Sequence, residues 1–295
     1  MNSKYISFMS RKLIYAVISG MVIIPGIISL FIWGLKPSID FTGGSLWEVK
    51  FNKQVSQVNF DTLLSNEKIE HQASQNSDEN QLLVRTKSIS EEEKNKLKEK
   101  LKENFGEVEE IRFETVGPTL GRELLIKTLV AILLAAISIT IYIGWRFKNK
   151  MYGVCAILAM IHDSLVLIGS FSLLGHFFNV EVDTLFVTAV LTVLSFSVHD
   201  TVVVYDRIRE SIKQNPHLSI EELSNKAVTE TMTRSLNNSL TIIFMLTALV
   251  ILGGVTIKWF AVALLIGTIS GTYSSPFVAV PLLNVWNRLL NRRGC

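Results

Sequence analysis

Apolar residues gather into long blocks along this chain. Stretches of roughly 20 apolar residues, enough to cross about 30 Å of hydrocarbon at 1.5 Å per residue, occur at Leu13–Leu35, Leu124–Trp145, Tyr152–Leu174, Thr184–Tyr205, Thr231–Leu252 and Trp259–Val285. Six membrane-spanning helices are predicted. The chain then divides into an N-terminal tail (1–12), a first span (13–35), a polar domain (36–122), a five-helix bundle (123–285) and a C-terminal tail (286–295). Pro25 and Gly26 predict a kink in the first span.

The polar domain carries shorter periods. Ser45 to Phe51 alternates, with Trp47, Val49 and Phe51 on one face, as a half-buried strand does. Phe60, Leu63 and Leu64 make a short helical stripe. Two extended stretches are predicted at Lys68–Gln72 and Gln81–Lys87, separated by a turn-rich segment, Ala73–Asn80. Ser90 with Glu93 forms a capping box, and Leu97, Leu101 and Phe105 share the face of a helix that Gly106 stops. A last strand at Glu107–Glu114 completes the order strand, helix, strand, strand, helix, strand, which is the ferredoxin-like arrangement. The fold class is thus a polytopic α-helical membrane protein with one α+β domain outside the bilayer.

Composition agrees: 48% of the 295 residues are hydrophobic and 19% charged, so an ordinary soluble fold is excluded. The formal net charge of +3 points to no nucleic acid, because basic residues flank the spans instead of forming a patch. Lys4, Arg11 and Lys12 precede the first span; Arg146, Lys148 and Lys150 fill the turn after the second. Arg207, Arg209 and Lys213 follow the fourth, and Arg288, Arg292 and Arg293 close the chain. By the positive-inside rule both termini are cytoplasmic and residues 36–122 are extracytoplasmic. The first segment is too long for a signal-peptide core and reads as a retained helix. Cys155 and Cys295 support no disulfide framework, and Cys295 is not in a prenylation position.

Candidate chemistry starts with ionisable residues inside spans, where each unpaired charge costs several kcal/mol. Asp200 lies about five residues, or roughly 7 to 8 Å, from the inner end of the fourth span. Arg234 enters the fifth span at a similar depth, so the two are predicted to meet. One alternative is a static ion pair that fixes packing; the other is a switch in which protonation of Asp200 releases Arg234. Ser197, His199, Thr201 and the run Asn237-Asn238-Ser239 offer hydrogen bonds along a water path. His162 and Asp163, near the middle of the third span, are expected to face the bundle interior as a relay or a helix–helix hydrogen bond. Glu181 and Asp183 precede the fourth span as a candidate proton entrance. Asp206 is placed to pair with Arg209 one turn away, and Gly267-Thr-Ile-Ser-Gly271 allows close helix approach. The sequence has no Walker loop, metal-ligand spacing or nucleophile elbow, so ATP is not indicated as the energy source, and neither an enzyme nor a metal site is expected.

The segments Ile39-Asp-Phe-Thr-Gly-Gly44, Val116-Gly-Pro-Thr-Leu-Gly-Arg-Glu-Leu-Leu125, His162-Asp163 and Ser197-Val-His-Asp-Thr-Val-Val-Val-Tyr-Asp-Arg-Ile-Arg-Glu210 together resemble the SecD/SecF family of the resistance-nodulation-division superfamily over nearly the whole chain. The motif residues are Asp40, Phe41, Gly43, Gly44, Gly117, Pro118, Asp206 and Arg207. The resemblance implies that Asp200 and Arg234 conduct protons, the coupling ion and sole cofactor. It further implies that the proton-motive force at the bacterial cytoplasmic membrane drives completion of preprotein export. Implied partners are SecD, the SecYEG channel, unfolded preprotein and membrane lipid, with YajC and YidC as further candidates. The family usually has Asn where this chain has His199, an imidazole that titrates near neutrality. Two other readings remain open: half of a proton-coupled exporter of small molecules or lipids, and a structural scaffold for SecD.

Overall fold

The computed structural model describes residues 6–147 and 149–293, so Lys4, Lys148 and Cys295 lie outside the described residues, as do the side chains of Arg292 and Arg293. Contacts divide the chain into two compact units, Met1–Lys36 with Ala131–Cys295, and Pro37–Val130. In chain order the elements are α1 (Lys12–Ile32), α2 (Ile39–Thr42), β1 (Gly44–Phe51), α3 (Gln57–Asn66), β2 (Gln75–Asp78), β3 (Gln81–Thr86), α4 (Glu91–Phe105) and β4 (Val108–Val116). Then come α5 (Pro118–Arg146), α6 (Lys150–Phe178), α7 (Thr184–Gln214), α8 (Ile220–Leu252) and α9 (Val255–Ser274), which runs through a π-helical segment (Ser275–Ala279) into α10 (Val280–Arg293).

Among the described residues, six helical stretches are long and apolar enough to cross a membrane, matching the six predicted spans. The first remains helical through Pro25 and Gly26. α7 and α8 outrun their apolar stretches furthest. α7 continues past Tyr205 to Gln214, and α8 begins at Ile220, where Ser219 and Glu222 form a capping box. These polar extensions are joined by Arg207, which meets Glu210 at 2.5 Å and Glu230 at 2.6 Å. Burial is uneven: half of the apolar window is buried in α6 and α7, none in α5, and about a tenth in α1 and α8. α6, α7 and α9 therefore form the centre of this unit.

The other unit has a four-stranded antiparallel sheet in the order β2-β3-β1-β4, the ferredoxin-like order expected. Trp47 of β1 lies between Val84 of β3 and Phe113 of β4. Trp47, Val49 and Phe51 pack with Phe60, Leu64, Leu82, Val84, Leu97, Leu101 and Val108 into one core. One element departs from expectation: the second strand is Gln75–Asp78, inside the stretch read as a turn. It joins β3 through Glu79 and Asn80, and Asn80 takes the left-handed φ of 59° that a tight turn requires. Strand formation there comes from backbone pairing at a sheet edge, which needs no apolar alternation. Residues 68–72 lie beside the end of β3 with a single bridge, His71 to Thr86.

The capping box of α4 is present: Ser90 Oγ accepts from the Glu93 main-chain N–H at 3.3 Å, and a Glu93 carboxylate oxygen accepts from the Ser90 N–H at 2.8 Å. These Ser90 donors hold the Glu93 carboxyl below its ordinary range. Because the folded value is the lower one, this stabilisation is present above the ordinary glutamate pKa and is lost as pH falls through the folded value. Ser90→Ala is expected to destabilise this domain by about 1 kcal/mol at neutral pH, with a smaller loss in acid. Thermal unfolding of the detergent-solubilised protein at both pH values checks it; equal losses would remove the charge-assisted part of the cap.

Candidate proton-handling site

Buried positions on α7 recur at Val190, Val193, Leu194, Ser197, Val198, Thr201, Val204, Tyr205 and Ile208, a helical period that turns this stripe inward. His199 and Asp200 fall outside the stripe: His199 is exposed and Asp200 half-buried. Asp200 Oδ2 accepts a hydrogen bond from Ser235 Oγ of α8 at 3.1 Å.

Two cavities flank this carboxylate. One, of about 460 Å³, is lined by Asp200, Val203, Val204, Thr231, Arg234 and Ser235; the other, of about 320 Å³, by Phe196, Asp200, Ile242, Thr268 and Thr272. His199, Asp200 and Asn238 line both and form the partition between them. Val203 and Thr231 lie toward one end of the paired helices and Phe196 and Ile242 toward the other, so the cavities follow one another along the bundle.

The structure brings Asp200 and Arg234 to one cavity and does not pair them: among the described residues, no ion pair within 4 Å joins the two. Ser235 takes the place at Asp200 that the sequence assigned to Arg234. Asn238 joins the partition, whereas Asn237 is exposed and lines neither cavity. Ser197 and Thr201 face the bundle centre rather than the cavities, Thr201 Oγ1 lying 3.0 Å from Ser275 Oγ. Asp183 caps α7, its Oδ1 accepting from the Phe186 N–H at 2.7 Å.

His162 and Asp163 form a separate cluster. His162 Nδ1 lies 3.0 Å from Asp163 Oδ1, and the carboxylate also accepts from Ser270 Oγ and Ser274 Oγ, each at 2.6 Å. The pair thus makes helix–helix hydrogen bonds to α9. At the end of the fourth span Asp206 meets Arg209 at 3.3 Å, as expected, and also pairs with Arg146 of α5. Sequence reasoning missed Ser235, Ser270, Ser274 and Ser275; for Ser235 the available signal was its place in the polar run Thr231-Met-Thr-Arg-Ser235.

Gly43 and Gly44 have φ of 73° and 127°, backbone angles that side chains rarely adopt. A Cβ on Gly43 would stand 2.8 Å from Pro118 Cα, and one on Gly121 would stand 2.8 Å from Gly43 N. The two motifs Ile39–Gly44 and Val116–Leu125 therefore pack backbone against backbone, with Asp40 and Phe41 on the short helix α2 that leads into the glycines. Gly117 links β4 directly to α5.

A carboxylate that water can approach from two cavities, with a hydroxyl bonded to it and a guanidinium across one cavity, can load and release a proton. Among the described residues, no cluster of three or more His, Cys, Asp or Glu side chains is arranged to hold a metal ion. Comparison with known proteins gives a consistent answer. Residues 96–289 match the protein export membrane protein SecD/SecF C-terminal family, and residues 28–55 match the SecD/SecF GG motif. The chain is 45% identical to the protein translocase subunit SecF of Thermobaculum terrenum, covering 92% of this chain and 91% of that one. It is 40% identical to the same-named subunit of Anaerolinea thermophila, covering 95% and 94%. The crystal structure of SecDF, a translocon-associated membrane protein from Thermus thermophilus, superposes with a TM-score of 0.86 at 30% identity, over 96% of this chain and 39% of that one. The present chain thus spans about two fifths of that SecDF polypeptide. It belongs to the SecD/SecF family of protein-export membrane proteins.

Proposed function

We propose that this multi-pass membrane protein is the proton-coupling subunit of a bacterial protein-export machine and that Asp200 takes up and releases the coupling proton. The observation that carries this reading is the position of Asp200 in the wall between two cavities. One elementary charge crossing 100 mV supplies about 2.3 kcal/mol, enough to bias a two-state element. Arg234 contributes a fixed positive charge to one cavity and favours the deprotonated carboxylate after release. His199 stands in the same partition and offers a second proton acceptor. No other cofactor is required, and the work is conformational, not enzymatic.

A second subunit is part of this reading. His199, Arg234, Asn237 and Asn238 are exposed on spans α7 and α8, where contact with acyl chains is costly. SecD, the other half of the SecDF polypeptide that this chain resembles, is the partner that covers this face. Both termini are cytoplasmic and the ferredoxin-like domain is extracytoplasmic, where emerging preprotein from SecYEG is engaged; YajC and YidC are accessory candidates.

The test is proton uptake and preprotein translocation in vesicles holding this chain, SecD and the channel, with wild type compared with Asp200→Asn. Loss of both activities in an assembled complex supports the reading. Retention of both returns Asp200 to a packing role, and a parallel fall in assembly and activity favours a scaffold.

A further inference from the structure

Asp163 is almost wholly enclosed, at 1% exposure, and its three donors come from two helices: His162 of α6, and Ser270 and Ser274 of α9. His162 Nε2 in turn lies 3.0 Å from Ser19 Oγ of α1. The cluster is apart from the Asp200 cavities, yet the residue after Ser274 reaches the turn that carries Asp200. Ser275 Oγ is 3.0 Å from Oγ1 of Thr201, the residue that follows Asp200 in sequence.

Ser274 ends α9 and Ser275 opens the π-helical segment. Pro276 brings no N–H to the ladder, which accounts for the irregular turn, and π segments in helices concentrate at functional sites. Both hydroxyls are also within reach of the Gly271 carbonyl oxygen, Ser274 Oγ at 3.3 Å and Ser275 Oγ at 3.2 Å, while that oxygen already accepts the Ser275 N–H. A carbonyl oxygen has two lone pairs, so one hydroxyl at a time completes it. With Asp163 charged, Ser274 donates to Asp163, Ser275 donates to Gly271, and Thr201 donates to Ser275. With Asp163 protonated, the new O–H donates to Ser274, and the Ser274 hydrogen turns to Gly271. Ser275 then donates to Thr201, and the Thr201 hydrogen returns to the carbonyl four residues back in its own helix, the common partner of a helical threonine. Every hydrogen has an acceptor in both arrangements.

We infer that Ser274 and Ser275 are positioning residues that carry the protonation state of Asp163 to the turn of α7 holding Asp200, so that the two carboxylates titrate as a linked pair. The inference rests on Asp200 being the proton-coupling carboxylate. The titratable groups around the Asp163 cluster are His162 on α6 and Tyr273 on α9, whose ring lies 6.4 Å from that of His162. The Tyr273 hydroxyl donates to the Tyr15 carbonyl of α1 at 2.8 Å. From α7, Tyr205 donates to the Ala279 carbonyl at 2.8 Å. The π-helical segment holds no charged residue, and Arg288 of α10 is engaged by Glu221. Around Asp200 stand His199 on α7 and Arg234 on α8, while α9 presents the hydroxyls of Thr268 and Thr272.

The experiment is a cycle on the pH profile of proton uptake, in the full complex with SecD and the channel, for wild type, Asp163→Asn, Ser275→Ala and the double variant. Asp163→Asn removes the like charge and fixes the hydroxyl chain in the arrangement of the protonated acid. It is expected to move the uptake midpoint toward acid by on the order of half a pH unit, the larger part of it through the chain. In the Ser275→Ala background the same substitution is expected to have less than half that effect. Additive shifts, or a single-variant profile that overlays wild type, overturn the linkage. Should Asp163→Asn fail to assemble, Ser274→Ala with Ser275→Ala forms a second cycle on the same chain. A midpoint shift in Ser274→Ala that falls by more than half in the Ser275→Ala background is expected, and additive shifts or no shift overturn the linkage. Asp200→Asn runs alongside: uptake retained there overturns both the linkage and the proposed function, while uptake lost there with additive shifts overturns the linkage alone.

Discussion

Complexes carrying Asp200→Asn are expected to lose proton uptake and proton-driven translocation by at least about 100-fold, the scale on which removing an obligatory proton-transfer group acts, with assembly at the wild-type level. The geometry separates these effects. Asparagine has the shape of aspartate, and its carbonyl oxygen can still accept the Ser235 hydroxyl that now meets Asp200 Oδ2 at 3.1 Å. Packing between α7 and α8 is therefore preserved while the proton-binding group is gone. Arg234 behaves differently. It shares the cavity of about 460 Å³ without bonding to Asp200, so its contribution is a charge at a distance, not the two-pronged grip for which arginine is irreplaceable. Arg234→Lys is accordingly expected to keep most of the uptake, and Arg234→Gln to lose it. An Arg234→Lys variant as inactive as Arg234→Gln would mean that a direct guanidinium–carboxylate contact forms during the cycle.

Gly267→Leu is expected to prevent assembly of the folded bundle. A Cβ placed on Gly267 would lie 2.0 Å from Val193 Cγ2 and 2.9 Å from Val193 Cβ. Val193 is 2% exposed on the central helix α7, and a β-branched side chain has few rotamers in which to retreat. Relief requires α7 and α9 to separate along a crossing that also includes Gly271, whose added Cβ would meet Ser197 Cα at 3.5 Å. Overpacking a core costs about 1–3 kcal/mol or more, and a leucine here lies at or beyond the upper end. Protease resistance and thermal unfolding in detergent report the loss. The exchange Val193→Gly, Gly267→Ala removes all of these contacts and is expected to be more stable than Gly267→Ala alone, and failure of that rescue would place the constraint elsewhere than at this contact.

These two sites show what a membrane sequence discloses. Depth is legible: a count of residues from the end of an apolar run puts Asp200 and Arg234 at one level, and both line one cavity. Azimuth is not. Neighbours on a helix point about 100° apart, so small differences in rotation decide whether Arg234 or Ser235 meets Asp200, and that rotation is set by packing along the whole of α8. The Gly267–Gly271 crossing was legible because small residues at that spacing act through the backbone itself. The bonds of Ser270, Ser274 and Ser275 were illegible for the opposite reason: single hydroxyls are common in spans, and only the tertiary placement of Asp163 gives these three a role. In the ferredoxin-like domain the apolar alternation of β1 and the capping box of α4 identified their elements. β2 escaped because an edge strand of polar residues carries no periodic signal.

The exposed polar stripe of His199, Arg234, Asn237 and Asn238 also bears on how the chain is made. On the proposal that a second subunit covers this stripe, a copy inserted into the bilayer ahead of that companion holds a guanidinium and two carboxamides against hydrocarbon, a state several kcal/mol uphill. Such an orphan has every reason to clump with other copies or to be handed to a membrane protease. Its lifetime in the cell then follows the supply of the companion subunit, and balanced synthesis of the two halves becomes a condition for accumulating either.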